Sequence, residues 1–264
     1  MLTIHRFGKR YRGCALSPLR QGIACALSLM FMFMLLHTAT AAELKVVHSG
    51  NWPPYSGADL PGQGLAIELV TTALERAGYS ASVSIDSLER ILEGSKTGSY
   101  DVFATPWYTM ERDRFLHFSR PYLESSIRFI KRKHSDFAYT TFDDLDGLRI
   151  GVVKGYAYDE DFNQSPAIDK VSANSLTQNL RKLLAKEIDL TLDDERVLLY
   201  EIARSTPDAA TTLEILEKPL VVRGVNIGVS RKNPDHARIV ADFDKAIAAM
   251  KQDGTYEEIL EKHR

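Results

Sequence analysis

Cysteine is nearly absent from this sequence of 264 residues, which contains only Cys14 and Cys25. Both lie within the first 41 residues, and neither follows an apolar segment as the cysteine of a lipoprotein signal does. We therefore expect no lipid anchor. The 223 residues from 42 to 264 can form neither a disulfide framework nor a cysteine-ligated metal site, so an ordinary hydrophobic core must stabilise them.

Acidic residues are absent from the first 41 positions, which carry five basic residues and then the apolar run 23–36. The segment ends in Ala39-Thr40-Ala41, a pattern typical of a secretory cleavage site. Its apolar run is shorter than the roughly 20 residues that a membrane-spanning helix requires. The sequence therefore predicts a signal peptide at residues 1–41 that is cleaved after export, and a periplasmic location.

Without this segment, 28 Lys and Arg stand against 35 Asp and Glu, a net charge of −7. No basic stripe remains that would suggest a nucleic-acid partner. The five remaining histidines are scattered, without the spacing of metal ligands. Phosphate-binding and nucleophile-elbow motifs are missing, and "GQGLAI" (62–67) has two of the three glycines of a dinucleotide fingerprint. We therefore expect no metal, no cofactor and no enzymatic activity.

Short β-type runs alternate with amphipathic helical patterns along the chain. Residues 44–105 follow the order β-α-β-α-β, and their first helix, over 66–77, carries one apolar face and ends before Gly78. Residues 148–204 repeat this order. The alternation predicts an α/β protein with two units, each built on a parallel sheet with right-handed crossovers.

The tail is harder to place from pattern alone. Residues 219–230 form one long extended run, whose last part, "IGVS", would add an edge strand to either unit. A long amphipathic helix follows, for which Asn233 is a suitable N-cap and Pro234 a suitable first residue.

Aromatic and charged residues follow several predicted strands, where open α/β sheets bind their ligands. Trp52 and Tyr55 flank two prolines and suit a stacking wall for a ligand, although Trp52 would equally well cover the core. Arg112 is suited to bind a ligand carboxylate through two hydrogen bonds. The alternative is a solvated surface arginine, which is what we expect of Arg114.

Two further pairs of residues stand at strand ends. One of Asp193 and Asp194 is expected to cap the following helix, which leaves the other to pair with a ligand ammonium group. Tyr156 and Tyr158 precede a predicted helix, so backbone N–H groups there would receive an anion, unless the two rings only pack on the strand end.

Taken together, these segments resemble the periplasmic solute-binding proteins of family 3, the polar amino-acid receptors of ABC importers. The resemblance covers nearly all of the chain after residue 41. It is carried, in order, by "NWPPYSG", "GLAIELVTTALERAGY", "GSYDVFATPWYTMERDRFLHFSRPY", "DDLDGLRIGVVKGYAY" and "KEIDLTLDDERVLLYEIA".

This resemblance implies a type II periplasmic binding-protein fold with two lobes, each a doubly wound and mostly parallel sheet. The ligand would lie in the cleft between the lobes, which would close on it by hinge bending. Lobe one would comprise residues 42–124 and 223–264, and lobe two residues 125–222.

The resemblance also implies the binding residues. Arg112 would bind the α-carboxylate, Asp194 the α-ammonium group, and Trp52 would stack over the ligand side chain. The chain departs from the family after Thr105, because Trp107 and Tyr108 stand where small or hydroxyl residues contact the ligand. Trp107 and Tyr108 are nevertheless expected to bind the ligand. The other expected binding residues are Thr105, Tyr156, where Thr or Ser is frequent, and Arg90, where some divergent members also have arginine.

The sequence thus predicts a monomeric receptor that captures a small polar or zwitterionic solute for the membrane permease of an ABC importer. One alternative on the same fold is a periplasmic dehydratase of the prephenate or arogenate type, with Asp194 or Glu195 as its general acid. A second alternative is a ligand-sensing partner of a membrane sensor.

Overall fold

Strands and helices alternate along the chain, as the sequence predicts. The computed structural model describes residues 42–50, 52–204 and 209–263, so the predicted signal peptide lies outside the described residues. The strands of the described chain are β1 (Ala42–His48), β2 (Tyr79–Ile85), β3 (Val102–Phe103), β4 (Leu116–Phe118), β5 (Leu123–Arg132), β6 (Arg149–Val153), β7 (Asp169–Ala173), β8 (Leu190–Asp194), β9 (Leu213–Val225) and β10 (Gly228–Ser230). Its helices are α1 (Leu65–Arg76), α2 (Leu88–Thr97), α3 (Met110–Asp113), α4 (Glu160–Gln164), α5 (Leu176–Leu184), α6 (Glu195–Arg204), α7 (Ala209–Thr212), α8 (His236–Asp253) and α9 (Thr255–Lys262).

The first sheet has the strand order β2-β1-β3-β10-β4. β1 pairs in parallel with both β2 and β3, which confirms the predicted β-α-β-α-β unit. β10 lies between β3 and β4 and runs antiparallel to both. The "IGVS" segment is therefore an interior strand of the first sheet, and the prediction that it adds an edge strand was wrong.

The second sheet repeats this arrangement with the order β7-β6-β8-β5-β9. β6 pairs in parallel with β7 and β8, whereas β5 runs antiparallel to β8 and β9. Both sheets are thus mixed, each with one reversed strand in the fourth position. Parallel neighbours need a crossover connection, and the reversed strands β5 and β10 are instead reached by short links from the other sheet.

The chain passes between the two sheets twice, after β4 and after β9. The predicted lobe boundaries, at 124 and 223, fall inside β5 and β9, which pair with each other from Leu123 opposite Val225 onward. The division of the chain into lobes at these two positions stays a prediction.

Helices α1 and α8 cover the first sheet. The fully buried residues of α1 recur with helical spacing, and α8 buries Ile239, Phe243 and Met250 on one face. α1 ends where predicted, with Gly78 in the left-handed conformation at φ 87°. Within the described ranges, no helix combines the length and the apolar character needed to cross a bilayer.

The start of α8 differs from the prediction. The helix begins at His236, with Asp235 at the N-cap position, so Asn233 is not its cap. The Asn233 side chain instead donates to Asp101 Oδ1 (2.8 Å) and accepts from the Asp235 N–H (2.9 Å). The amide is therefore used to fasten the turn before the helix.

The loop after β1 is fastened to the first turn of α1. The Leu65 N–H donates to Pro54 O (3.0 Å), and the Ala66 N–H donates to Tyr55 O (2.9 Å). A Cβ atom at Gly64, where φ is 107°, would lie 2.6 Å from Tyr55 O. Glycine allows this close approach of two backbone segments, which fixes Tyr55 and its neighbours beside the helix.

Candidate functional site

A small cavity lies where the ends of β1 and β3 meet the loop after β6. Its described lining consists of Ser49, Trp52, Leu88, Phe103, Thr105, Trp107, Arg112 and Tyr156. Its volume is about 30 Å³, enough for one or two water molecules. Tyr156 comes from the half of the chain that forms the second sheet, so the cavity lies between the two halves.

Arg112 is the charged residue of this lining. Its backbone N–H donates to Thr109 Oγ1 (3.1 Å), which caps the short helix α3 and fixes the start of the side chain. The guanidinium bridges the two halves of the chain, because Nη1 donates to Trp107 O (3.0 Å) and Nη2 donates to Gly155 O (3.1 Å). The predicted surface alternative for Arg112 is excluded, since the residue is 8% exposed.

The positive charge of Arg112 has no carboxylate within ion-pair distance in the described part of the chain. Burial lowers its pKa to about 10, and the nearby charge of Arg223 acts in the same direction, against Glu111. An anion bound in the cavity would relieve both effects, because opposite charge stabilises the charged form of a buried group.

Aromatic rings form most of the cavity wall. Trp52 stacks on Tyr55 with the ring centroids 4.3 Å apart, and it meets Trp107 edge to face at 5.7 Å. Trp107 in turn meets Tyr156 edge to face at 5.4 Å. The Trp107 indole N–H has no hydrogen-bond acceptor among the described residues, although the side chain is only 5% exposed.

The two aspartates at the end of β8 have different surroundings. Asp194 Oδ1 accepts from the backbone N–H groups of Arg196 (2.8 Å) and Val197 (3.3 Å), so Asp194 is the residue that caps α6. Its Oδ2 accepts from the Ser126 N–H (3.0 Å). Asp194 is not among the described lining residues of the cavity, and its contact with a ligand ammonium group stays a prediction.

Asp193 faces the first half of the chain. Its Oδ1 accepts from Trp52 Nε1 (3.2 Å) and from the Asp194 N–H (2.8 Å). Burial raises the pKa of Asp193 to about 7, and these two hydrogen bonds oppose the rise. The Trp52–Asp193 hydrogen bond is a second polar link between the halves, beside that of Arg112 with Gly155.

Of the other predicted binding residues, Thr105 and Tyr156 line the cavity, and Tyr108 and Arg90 do not. Tyr108 is 46% exposed, packs against Phe118, and lines a wider cleft beside the cavity together with Arg112 and Tyr156. The Arg90 side chain is 78% exposed and lies 3.8 Å from Asp86 in a surface ion pair.

The structure around Tyr156 and Tyr158 differs from the predicted anion site. The helix that follows begins only at Glu160 and is capped by Asp159, whose Oδ1 accepts from the Phe162 N–H (3.1 Å). The Tyr156 N–H donates to Val153 O (3.1 Å), so it is not available to an anion.

Sequence reasoning missed Ser49, Leu88 and Phe103 as lining residues. Ser49 and Phe103 lie at the ends of β1 and β3, a position from which a ligand contact could have been predicted. Leu88 could not have been distinguished from an ordinary apolar residue of a helix. In the described part of the chain, no three His, Cys, Asp or Glu side chains are grouped as a metal site requires.

Comparison with solved structures identifies the fold. A solved ancestral arginine-binding protein bound to arginine matches with a TM-score of 0.72 and 23% identity, over 84% of this chain and 97% of the other. The fold is the two-lobed, type II periplasmic binding-protein fold, as predicted.

The chain belongs to the bacterial extracellular solute-binding proteins, family 3, whose signature it matches over residues 44–264. It is 28% identical over 229 residues to the Escherichia coli ABC transporter arginine-binding protein 1, covering 85% of this chain and 92% of that one. It is also 27% identical to the Escherichia coli L-cystine-binding protein TcyJ, over 83% of this chain and 81% of the relative.

Proposed function

We propose that the protein is a periplasmic receptor that captures a small polar or zwitterionic solute, an amino acid or a related carboxylate, and delivers it to the permease of an ABC importer. The names of the relatives, which bind arginine and cystine, support this class of ligand. Binding and hinge closure are then the whole function, with no covalent step.

The observation that carries the proposal is the buried guanidinium of Arg112 in the cavity between the two halves. A desolvated arginine without a partner carboxylate is energetically unfavourable, and a ligand carboxylate would supply two charge-assisted hydrogen bonds. The bond from Arg112 to Gly155 O would be exchanged for the ligand as the cavity opens and closes.

Hinge closure is supported by the way in which the halves are joined. Only short links connect β4 to β5 and β9 to β10, and a two-segment link of this kind allows rotation about a few residues. The cavity has a volume of about 30 Å³, and a wider cleft of about 780 Å³ beside it shares Arg112 and Tyr156 as lining residues.

The dehydratase alternative is less well supported. Asp194 caps α6, and Glu195 Oε2 lies 3.2 Å from Arg128 Nε, so neither candidate general acid lines the cavity. A general acid must reach the proton that it transfers, directly or through one water molecule.

A thermal-shift screen of the exported protein against amino acids, polyamines and small organic acids tests the proposal. A ligand at about 100 times its dissociation constant adds roughly 2.7 kcal/mol of stability. Arg112→Ala should then abolish the shift caused by a carboxylate, with a loss on the order of 2 to 5 kcal/mol in calorimetry. Arg114→Ala, at an exposed position two residues away, is the matched control and should bind normally.

The proposal fails if no small solute stabilises the protein, or if Arg112→Ala binds the carboxylate as tightly as the parent. Product formation from prephenate, followed by absorbance, would instead support the dehydratase.

A further inference from the structure

A second arginine, Arg223 near the end of β9, lines the wider cleft together with Arg112. Its Nη2 donates to Tyr108 O (2.5 Å), in the loop before α3. Its Nη1 donates to Ala157 O (2.9 Å) and to Tyr158 O (2.5 Å), in the loop after β6. The guanidinium of Arg223 therefore joins the same two halves of the chain as that of Arg112 does.

The acceptors of the two arginines belong to the same two loops. Arg112 donates to Trp107 O and to Gly155 O, and each of these carbonyls lies next to, or close to, an acceptor of Arg223 in the sequence. The two positive charges act on each other, since the charge of Arg223 lowers the pKa of Arg112 further than burial alone does. The cleft thus holds a pair of coupled guanidinium groups.

Neither guanidinium of this pair has a carboxylate within ion-pair distance among the described residues. Arg231 shows the usual arrangement, because its Nη2 lies 3.1 Å from Asp113 Oδ1. Arg112 is buried and Arg223 is half-buried, and burial lowers the pKa of Arg223 as it does that of Arg112. Neighbouring positive charges that are partly desolvated and unpaired are unfavourable, so bound negative charge would stabilise the pair.

Acidic side chains near the cleft do not neutralise the pair. The charged residues of the described wall are Lys96, Arg112, Arg114, Arg223, Glu111 and Glu160. Both glutamates are exposed, and the charge of Glu111 acts on Arg112 less strongly than that of Arg223 does. Asp159, whose charge acts on Arg223, is engaged as the cap of α4. The buried part of the wall is therefore positive.

We propose that the site selects small dicarboxylates, with or without an amino group, over singly charged ligands of the same shape, with Arg112 binding one carboxylate and Arg223 the other. This inference rests on the proposed function and names its ligand class. A guanidinium carries more N–H groups than the carbonyl contacts of either arginine use, so each has donors left for a carboxylate. The cleft, with a volume of about 780 Å³, has room for such a ligand.

Pairs of ligands that differ only in the second charge test this directly. Glutamate and glutamine share their α-groups, so the comparison does not depend on how an ammonium group is bound. Aspartate with asparagine, and succinate with succinamate, extend it to shorter chains and to ligands without an amino group. Titration calorimetry on the exported protein should show the dicarboxylate of at least one pair binding roughly tenfold or more tightly than its amide.

The role of Arg223 has its own test. Arg223→Gln removes the charge and keeps an amide donor, so it should weaken the dicarboxylate alone and bring the two affinities of the pair within about threefold. Arg223→Lys keeps the charge and should keep a preference for the dicarboxylate. Arg231→Gln, which removes an arginine that already pairs with Asp113, is the matched control and should leave the preference intact.

A purely structural role of Arg223 gives a different result. If this arginine only joined the two loops, Arg223→Gln would weaken the dicarboxylate and its amide equally, and the inference would be overturned. An unchanged preference in Arg223→Gln would likewise exclude Arg223 as the second binding residue.

The outcomes also separate this inference from the proposed function. If singly charged carboxylates bind as tightly as the dicarboxylates or more tightly, with affinity lost in Arg112→Ala, the inference is overturned and the receptor function stands. If no carboxylate of either kind binds, both fail together.

Discussion

The ends of β3 and β8 occupy equivalent positions, since each is the third strand of a parallel trio, in the orders β2-β1-β3 and β7-β6-β8. They use their charged residues in opposite ways. After β3, the guanidinium of Arg112 lies in the cavity and meets backbone carbonyls from both halves. At the last residue of β8, the carboxylate of Asp194 accepts from backbone N–H groups of its own half.

The distance along the chain from strand to helix accounts for this difference. α6 begins at Glu195, directly after β8, so the last strand residue must satisfy the free N–H groups of the helix. After β3 there are six residues before α3, and Thr109 serves as the cap. The Arg112 side chain is therefore not needed as a helix cap, and its guanidinium reaches the cavity, where it donates to Trp107 O and Gly155 O. The predictions below test this contrast.

The largest effect is expected for Asp193→Asn and depends on pH. Because burial raises the pKa of Asp193 from its usual value near 4 to about 7, the folded protein binds more protons than the unfolded chain between these values. This carboxyl therefore stabilises the fold at low pH, and that stability is lost as the pH rises through about 7. The asparagine side chain cannot lose this proton.

From pH 4 to pH 8, the free energy of unfolding of Asp193→Asn should accordingly rise relative to the parent by about 4 kcal/mol. Urea titrations at a series of pH values measure this difference. Parallel curves for the two proteins would mean that Asp193 is not a buried, proton-binding group.

The next largest effect is expected for Asp194→Ala, which should reduce the stability of the fold. It removes the acceptor of three backbone N–H groups and should lower the free energy of unfolding by about 3 kcal/mol, as measured in urea. Asp194→Asn should lose about 1 kcal/mol, because the amide oxygen still accepts. If Asp194→Asn instead folds normally and loses its ligand, the contrast between the two strand ends breaks down.

The fold was largely predictable from the sequence, and particular elements show why. The helix predicted over 66–77 is α1, Leu65–Arg76, because its apolar residues recur with a clear helical period. The last strand of the unit predicted over 44–105 is only Val102–Phe103, since only these residues pair with β1 and β10. The length of a strand depends on which residues of distant segments pair with it, and the local sequence pattern does not contain that information.

The site was predictable only in part, for a geometric reason. Successive strand residues face opposite sides of a sheet, so the roles of Asp193 and Asp194 depend on where β8 ends. The sequence pattern placed both aspartates at the strand end without distinguishing them, and in the structure the strand continues to Asp194. The family resemblance implied that Arg112 lies at the ligand site, and Arg112 does line the cavity. Its contact with a ligand carboxylate stays a prediction.

Thr109→Ala sharpens the contrast at the end of β3 with a smaller effect. It removes the cap of α3, the hydroxyl that accepts from the Arg112 N–H, and should lower the free energy of unfolding by about 1 kcal/mol. Since this bond also positions Arg112, the affinity for a carboxylate ligand should fall by roughly threefold to tenfold in calorimetry. Thr109→Ser keeps the hydroxyl and should restore both quantities; equal losses in the two variants would exclude the cap as the cause.

The smallest effect is expected for Arg90→Ala. This variant compares an exposed residue of α2 with a cavity-lining residue of the same helix. Arg90 and Leu88 both lie in the first turn of α2, but only Leu88 lines the cavity. The ion pair of Arg90 with Asp86 is mostly solvated, so its loss should change stability by less than about 0.5 kcal/mol. Ligand affinity should not change in Arg90→Ala, whereas Leu88→Ala should enlarge the cavity and alter the preference for ligand size. A loss of affinity in Arg90→Ala beyond about threefold in calorimetry would place Arg90 at the ligand, as the sequence predicted, and would require the halves to close differently around it.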